Sequence, residues 1–263
     1  FQDNVEYQLS NILHYNLNVA EKNHFNVTGV YEITSSEYND FRNSASRIPS
    51  DILGIYGLES AFLNTPLIGG NERSLISFAG KLEYDFDNKY YVTVSGRADG
   101  SSVFGANNKW GNFPSASVAW QIDKEPFMQK QNLFNELKVR VGYGATGNQQ
   151  GLLPQQSLSL VGSSGITYFG GQPITNYRIY QNSNADLKWE TKKQTNLGLD
   201  FSLFNSRLRG TVDVYTSKTE DLLFDYTVPQ PPYPYNTIKA NVGSISNKGI
   251  EVSLAYDVIK SQN

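Results

Sequence analysis

The chain contains few residue combinations that could carry out covalent chemistry. Its 263 residues include no cysteine and two histidines, which excludes thiolate nucleophiles and thiolate metal sites. His14 and His24 do not form the His-x-x-x-His pair typical of zinc sites. No Gly-x-Ser-x-Gly sequence marks a serine nucleophile, and Asp and Glu are too dispersed to indicate a glycosidase pair. The sequence therefore predicts a non-enzyme without a metal ion or cofactor.

Two glycine-containing segments look superficially like ligand loops. Residues 97–102 (RADGSS) combine Asp, Gly and Ser, but they lack the terminal Glu of a calcium loop, so a strand-end turn is favoured. Residues 142–147 (GYGATG) follow a predicted strand, as nucleotide-binding glycines do. The sequence after them is rich in Pro, Gln and Ser and does not predict the required helix. Neither segment is therefore assigned a ligand.

Composition narrows the possible functions further. The chain has 22 basic and 25 acidic residues, a net charge of −3, and nucleic-acid binders usually carry a basic excess. Aromatic residues make up 13% of the chain, with 17 Tyr, 14 Phe and 3 Trp. No run of about 18 apolar residues is present, so no transmembrane helix is predicted. We expect no nucleic-acid partner.

The elements that must position any functional residue are predicted from a two-residue alternation. In residues 5–19, seven of the eight odd positions are apolar and six of the seven even positions are polar. Such alternation is typical of a strand with two different environments. It recurs often enough to predict nine strands, at 5–19, 25–34, 76–86, 90–98, 114–122, 137–143, 196–203, 208–214 and 250–258.

The connections between these strands alternate in length. Short turns are predicted at 20–24, 87–89 and 204–207, where Asn and Asp favour tight hairpins. A longer turn at 123–135 includes one helical turn with Asp123 as N-cap. Long connections rich in Gly, Asn, Ser and Pro are predicted at roughly 36–73, 100–112, 146–190 and 219–241.

Long amphipathic strands with short turns at one end and long loops at the other predict an all-β, antiparallel transmembrane β-barrel. A closed barrel pairs every backbone polar group, as lipid requires. Bacterial single-chain barrels have an even number of strands, so nine strands suggest part of a larger barrel. A soluble carbohydrate-binding β-sandwich, whose buried face also alternates, is the less favoured alternative.

Several motifs resemble one known family. Residues 96–128 contain GRADGSSVFG, NKWGNFPS, VAWQI and EPFM, and the later blocks LKVR, GYG, TGN, LKWE, QTN and NKGIE follow in order across about 74–258. This series closely resembles the SusC/RagA family of TonB-dependent outer-membrane transporters. Residues 1–73 are less distinctive.

The resemblance implies both an architecture and a function. It implies that residues 1–263 belong to one 22-stranded barrel domain, without the N-terminal plug and the remaining strands. It implies import of oligosaccharides or peptides across the outer membrane of a Gram-negative bacterium, under a SusD-like surface lipoprotein. The TonB–ExbB–ExbD complex would supply energy through the missing plug region. The alternative in another class is an outer-membrane adhesin or structural barrel without energised transport.

Aromatic residues in the predicted loops are the candidate substrate contacts. Aromatic faces suit sugar C–H surfaces or peptide side chains, whereas simple loop–loop packing is the competing explanation. The proposed substrate-binding residues are Trp110, Tyr168, Phe169, Tyr177 and Tyr180, and Tyr233 and Tyr235 share their loop setting.

Overall fold

The computed structural model describes residues 1–47 and 50–259, and their regular structure is almost entirely β. The strands are β1 (Gln2–Val19), β2 (Asn23–Ser46), β3 (Leu63–Phe86), β4 (Tyr90–Ser101), β5 (Trp110–Gln121), β6 (Phe134–Asn148), β7 (Leu160–Phe169), β8 (Gln172–Gln181), β9 (Glu190–Leu203), β10 (Leu208–Glu220), β11 (Leu223–Thr227), β12 (Thr237–Asn241) and β13 (Ser244–Tyr256). Short 3₁₀ segments lie at Asp51–Ser60 and Ile122–Lys124. No helix in the described part of the chain is long and apolar enough to cross a membrane.

Nine strands form one antiparallel sheet, which confirms the predicted fold class and all nine predicted strands. The strand order is β1-β2-β3-β4-β5-β6-β9-β10-β13, so the wall is built almost entirely from sequential hairpins. Hairpins β7–β8 and β11–β12 form two separate two-stranded sheets outside this wall. Within the described residues, β1 and β13 are the edges of the wall, and the sheet is not closed.

Strand register aligns the alternating side chains into rows that cross the whole sheet. One apolar row crosses all nine strands and consists of Leu17, Phe25, Tyr84, Val92, Val118, Val141, Leu197, Val214 and Ile250. The adjacent row faces the other way and is mainly polar: Asn16, Asn26, Glu83, Thr93, Ser117, Gly142, Asn196, Tyr215 and Gly249. Much of the apolar row is exposed, as at Val118 (54%) and Ile250 (71%), so another medium must cover this face.

The short turns gather at one end of the wall, as predicted. Asp87 and Asn88 adopt positive φ angles of 54° and 52°, which these residue types tolerate better than most. The predicted N-cap at Asp123 is wrong, because Gln121 occupies the N-cap position of the 3₁₀ segment Ile122–Lys124, without a capping hydrogen bond from its side chain. Asp123 lies inside that segment, and its carboxylate accepts a hydrogen bond of 2.9 Å from the amide of Leu137.

The predicted long loops contain more strand than expected. β2 continues to Ser46 and β3 begins at Leu63, so the loop predicted at 36–73 is mostly a projecting hairpin. A membrane strand needs about 10 residues, so the 24 residues of β2 extend well beyond a bilayer. Hairpins β7–β8 and β11–β12 likewise occupy the loops predicted at 146–190 and 219–241. Positions 48–49 lie outside the described residues.

The buried apolar side chains lie at the loop end of the wall and not at its centre. This apolar cluster consists of Val103, Phe104, Phe113, Leu152, Leu187 and Trp189. Only Phe113 comes from a wall strand; the others come from the connections between strands. The loops therefore pack into an ordered cap above the polar face of the sheet.

Candidate substrate-facing surface

The polar face of the wall carries a charge cluster at its centre. Arg140 on β6 donates to both carboxylate oxygens of Asp200 on β9, at 2.7 and 2.8 Å, and donates at 3.1 Å to Asp213 on β10. Gly198 makes room for this arrangement, since a Cβ there would lie 2.5 Å from Asp213 Oδ1 and 2.7 Å from Arg140 Cζ. The cluster carries one net negative charge and links three neighbouring strands.

A second arginine is held on the same face nearer the loops. Arg97 Nε donates to both oxygens of Asp99, at 2.7 and 2.8 Å, and Arg97 Nη2 donates to Ser77 Oγ at 2.8 Å. Asp99 is 7% exposed and Ser77 is 2% exposed. The RADGSS segment is thus the end of β4, fixed by its own ion pair. The turn predicted at Asp99 and Gly100 is wrong, because both residues are paired within the sheet.

The apolar cluster joins three connections into the cap. The ring of Trp189 lies 4.5 Å from that of Phe104 and 5.5 Å, edge-on, from that of Phe113. The indole Nε1 also donates to the carbonyl of Lys109 at 3.1 Å. Gly147 allows this packing, because a Cβ there would lie 2.1 Å from the ring of Phe113. The second half of the glycine-rich segment GYGATG therefore serves aromatic packing.

Asparagine side chains clamp the segment before β9 to hairpin β11–β12. Asn182 donates to the carbonyls of Tyr235 and Thr237, and Asn184 donates to that of Lys239. Asn241 accepts from the amide of Lys188 and donates to its carbonyl, at 2.9 and 2.7 Å. We call these three residues the asparagine clamp. Since residue 182 directly follows β8, the clamp also fixes the base of hairpin β7–β8.

Four of the predicted substrate contacts lie on hairpin β7–β8. Tyr168, Phe169, Tyr177 and Tyr180 are 72%, 77%, 70% and 45% exposed. Tyr168 and Phe169 are successive strand residues, so their rings face opposite sides of the hairpin. No ring pair joins any of the four in the described part of the chain. They are therefore available to a ligand but do not form one binding face, and their role stays a prediction.

A crevice of about 600 Å³ separates hairpin β7–β8 from the proline-rich connection between β11 and β12. Its lining consists of Arg178, Ile179, Gln230, Pro234, Tyr235 and Asn236. Tyr235, one of the aromatic residues noted in the loops, thus has a place in it, whereas Tyr233 is not among the lining residues. The crevice offers a cation, amides and one aromatic ring to a ligand arriving from the loop side.

Comparison with known proteins identifies this architecture. The family model "TonB dependent receptor-like, beta-barrel" matches residues 1–261. The chain belongs to this family. It is 34% identical over 262 residues to TonB-dependent receptor P39 of Formosa agariphila, covering 98% of this chain and 24% of that receptor. It is 36% identical over 186 residues to SusC of Bacteroides thetaiotaomicron, covering 69% of this chain and 18% of SusC.

Solved structures agree with this assignment. The RagAB peptide importer in its "closed-closed" state matches with a TM-score of 0.85 and 28% identity, covering 99% of this chain and 28% of that chain. The siderophore receptor PirA of Acinetobacter baumannii, at 12% identity and a TM-score of 0.61, shows the same fold. The chain thus spans about a quarter of the receptors that it matches along nearly its whole length.

Membership of the TonB-dependent receptor family orients the wall in the outer membrane of a Gram-negative bacterium. In outer-membrane barrels the short turns are periplasmic and the long loops extracellular. The exposed apolar face therefore contacts lipid, and the polar face with Arg97 and Arg140 faces the lumen. The cap and hairpin β7–β8 lie on the extracellular side.

Trp110 is separated from the other predicted substrate contacts. It lies on the lipid face, with its ring 6.2 Å from that of Phe78, and Phe78 lies 5.2 Å from Tyr31. Trp120 stacks on Tyr90 ten residues further along β5. Ten residues span about 33 Å along a strand, which at a tilt of about 40° gives about 25 Å, the height of the apolar band. Trp110 thus has the position of an interfacial aromatic residue, and its substrate role stays a prediction.

The periplasmic turn is organised around Glu125, which is 9% exposed. Its carboxylate accepts from the hydroxyl of Tyr90 at 2.5 Å and from the indole of Trp120 at 3.1 Å. These two hydrogen bonds, the Tyr90 bond first, hold the pKa of Glu125 below its usual value. Nearby, a hydrogen bond and ion pair with Lys89 lower the pKa of Asp87 in the same way, and Lys22 adds to the effect.

Sequence reasoning missed the asparagine clamp and the Arg140 cluster. The clamp residues lie in segments without periodicity, so no pattern marked them. A weak signal for the cluster was present, because Gly198 interrupts the polar phase of a strand that otherwise reads as Gln194, Asn196, Asp200 and Ser202. A glycine among polar positions indicates that a neighbouring side chain needs the space.

Proposed function

We propose that this chain is part of the barrel of an energised outer-membrane importer for oligosaccharides or peptides. The match to the RagAB peptide importer, over 99% of this chain, is the observation that carries the proposal. We further propose that residues 1–263 contribute to a single 22-stranded barrel domain whose plug and other strands lie elsewhere in the same protein. Its work is binding and translocation, without covalent change to the substrate.

The structure of the extracellular cap supports the proposal of a partner protein as well as that of a substrate. The cap is ordered by the apolar cluster and the asparagine clamp, and it presents hairpin β7–β8 outward. We propose that a SusD-like lipoprotein covers this side and that the TonB–ExbB–ExbD complex acts from the periplasm. Substrate would then meet exposed rings on the two faces of hairpin β7–β8, Phe169 on one and Tyr177 on the other, and the crevice containing Arg178.

Uptake measurements in cells would test the proposal. A strain lacking the complete gene is compared with the same strain carrying it, in TonB-positive and TonB-negative backgrounds, using labelled peptides and labelled oligosaccharides in parallel. We expect uptake of one substrate class to require both the gene and TonB.

The adhesin alternative predicts a different result. If neither substrate class enters in a gene-dependent way, while attachment of cells to a surface or to other cells falls on deletion, the importer proposal is wrong. Uptake that needs the gene but not TonB would support a passive barrel and would also contradict it.

A further inference from the structure

A group of lysines lies on the lipid side of the wall, at the extracellular limit of the apolar band. The outward rows of β9, β10 and β13 run from Leu197, Val214 and Ile250 to Thr195, Thr216 and Lys248. The next outward row adds Lys193 and Lys218, and the last adds Glu220. We call Lys193, Lys218, Lys248 and Glu220 the basic patch. It begins where the apolar residues of these strands end.

The geometry of the basic patch leaves it positively charged. Lys193 and Lys218 are directly paired across β9 and β10, a placement of like charges that costs stability. Glu220 offsets this cost by accepting a hydrogen bond of 2.7 Å from each of them. Lys248 forms no ion pair with any described residue. Three cations and one anion therefore leave a net charge of +2 facing outward.

A groove of about 490 Å³ opens on the lipid side next to this patch. Its outward-facing lining is polar at the upper edge, with Thr195, Thr216 and Lys248, and apolar at the lower edge, with Leu197, Val214 and Ile250. The two threonine hydroxyls and the Lys248 ammonium have no side-chain partner in the described part of the chain. Along the membrane normal, the groove is therefore polar towards the extracellular side and apolar towards the membrane interior.

This polarity matches one class of molecule. An occupant must place an anionic group beside the lysines and hydrocarbon below it, which is the layout of a lipid with a phosphate headgroup. Lysine binds phosphate as a point charge, and basic residues beside a membrane attract anionic headgroups. We propose that the basic patch and its groove bind a phosphate-bearing lipid of the outer leaflet, with an acyl chain lying on Leu197, Val214 and Ile250.

Native mass spectrometry of the complete, detergent-solubilised protein would test this. The probes are phosphatidic acid, the diacylglycerol with the same acyl chains, and inorganic phosphate. We expect phosphatidic acid to bind most tightly. The triple variant Lys193→Gln/Lys218→Gln/Lys248→Gln should weaken it by about 150-fold, the factor that the loss of three cations at a membrane surface provides.

A matched control removes the same charge from the lumen side. The variant Lys81→Gln/Lys138→Gln/Lys192→Gln changes three inward-facing lysines, one of them directly adjacent to Lys193, and should leave phosphatidic acid binding unchanged. Glu220→Gln should strengthen binding several-fold, because it removes the anion that competes with phosphate. Heat-modifiable mobility on a gel verifies that each variant is folded.

Three results would overturn the proposal. Equal binding of diacylglycerol and phosphatidic acid would show that the phosphate charge does not contribute to binding. Inorganic phosphate that binds as tightly as phosphatidic acid would indicate an anion site without lipid selectivity. Equal losses in the lysine triple variant and in its lumen-side control would show a non-specific effect of net charge. None of these results depends on whether the protein imports peptides, oligosaccharides or neither.

Discussion

The guanidinium of Arg140 lies against the backbone of Gly198, in the space that a side chain at residue 198 would occupy. From there it reaches two aspartates on two different strands, Asp200 and Asp213. A missing side chain thus permits the charge cluster at the centre of the lumen face. The consequence is a charged cross-link between three neighbouring strands of the lumen face.

Adding a methyl group at this glycine should disrupt the cluster. We expect Gly198→Ala to destabilise the barrel by about 1–3 kcal/mol, the usual cost of overpacking. The measurement is the denaturant midpoint of the refolded complete protein. Gly80→Ala is the control, because a Cβ at residue 80 meets no atom within 4 Å. A loss at Gly80 as large as that at Gly198 would show that strand glycines matter for another reason.

Trp189 should be the most sensitive position in the cap. Trp189→Ala removes a buried ring between Phe104 and Phe113 and should cost about 3–5 kcal/mol. Trp189→Phe keeps most of the packing and loses the bond to Lys109, so it should cost nearer 1 kcal/mol. Resistance of the loops to limited proteolysis reports the change. Similar rates of proteolysis for the two variants would contradict the prediction that ring packing contributes more stability than the hydrogen bond to Lys109.

The asparagine clamp can be tested with a nearly isosteric change. Asn241→Asp replaces the amide that donates to the carbonyls of Lys188 and Asp221 by a carboxylate that cannot donate. We expect faster hydrogen exchange in β11–β12 and in residues 182–188, with the wall unchanged. Asn236→Asp, at an exposed position of the adjoining connection, is the control. Unchanged exchange in the Asn241 variant would show that the clamp does not hold these segments.

The periplasmic turn should lose stability in acid. The pKa of Glu125 is lower in the folded protein than in the unfolded chain, so its contribution is complete above about pH 4.3. That contribution disappears as the pH falls through the lowered value, because the unfolded chain then binds the proton more readily. The stability of Glu125→Gln should therefore vary less between pH 7 and acid than that of the wild type. Parallel pH profiles of the two proteins would rule out this role.

Substitutions of the aromatic residues on hairpin β7–β8 and of Trp110 should have different effects on substrate uptake. We expect Phe169→Ser and Tyr177→Ser to reduce substrate affinity by about 1–3 kcal/mol if they form contacts resembling those at other interfaces. Trp110→Ser should leave affinity unchanged and lower barrel stability in the membrane. The measurement is the concentration dependence of uptake. Reduced affinity in the Trp110 variant with unchanged affinity in the two hairpin variants would show that Trp110 contacts substrate and that the hairpin does not.

The alternation of apolar and polar residues predicted the strands of the wall well, because successive residues face lipid, which requires apolar side chains, and the lumen, which accepts polar ones. In residues 5–19 the alternation continues along nearly the whole strand, and β1 was predicted to within three residues of its ends. The alternation stops where β2 extends above the membrane, because both faces of Glu37–Arg42 are then in contact with water. The strand continues there without a periodic signal, which explains why residues 36–46 were predicted as loop.

The candidate site was less predictable because its order comes from contacts distant in sequence. Trp189 meets Phe104 and Phe113, and Asn182 meets Tyr235, across separations of 53 to 85 residues. No local pattern encodes such pairings. The assignment of Trp110 to a loop had a similar cause, since only the strand register with Gly100 places its ring on the lipid face.

The position of the apolar cluster divides the molecule into two thermodynamic units. Unfolding of the cap exposes buried apolar side chains to water and should carry a positive heat capacity change of its own. The wall below it faces lipid on one side and is bound together mainly by strand hydrogen bonds. Calorimetry of the intact protein should therefore resolve a cap transition below that of the barrel, and the cap should weaken on cooling as well as on heating.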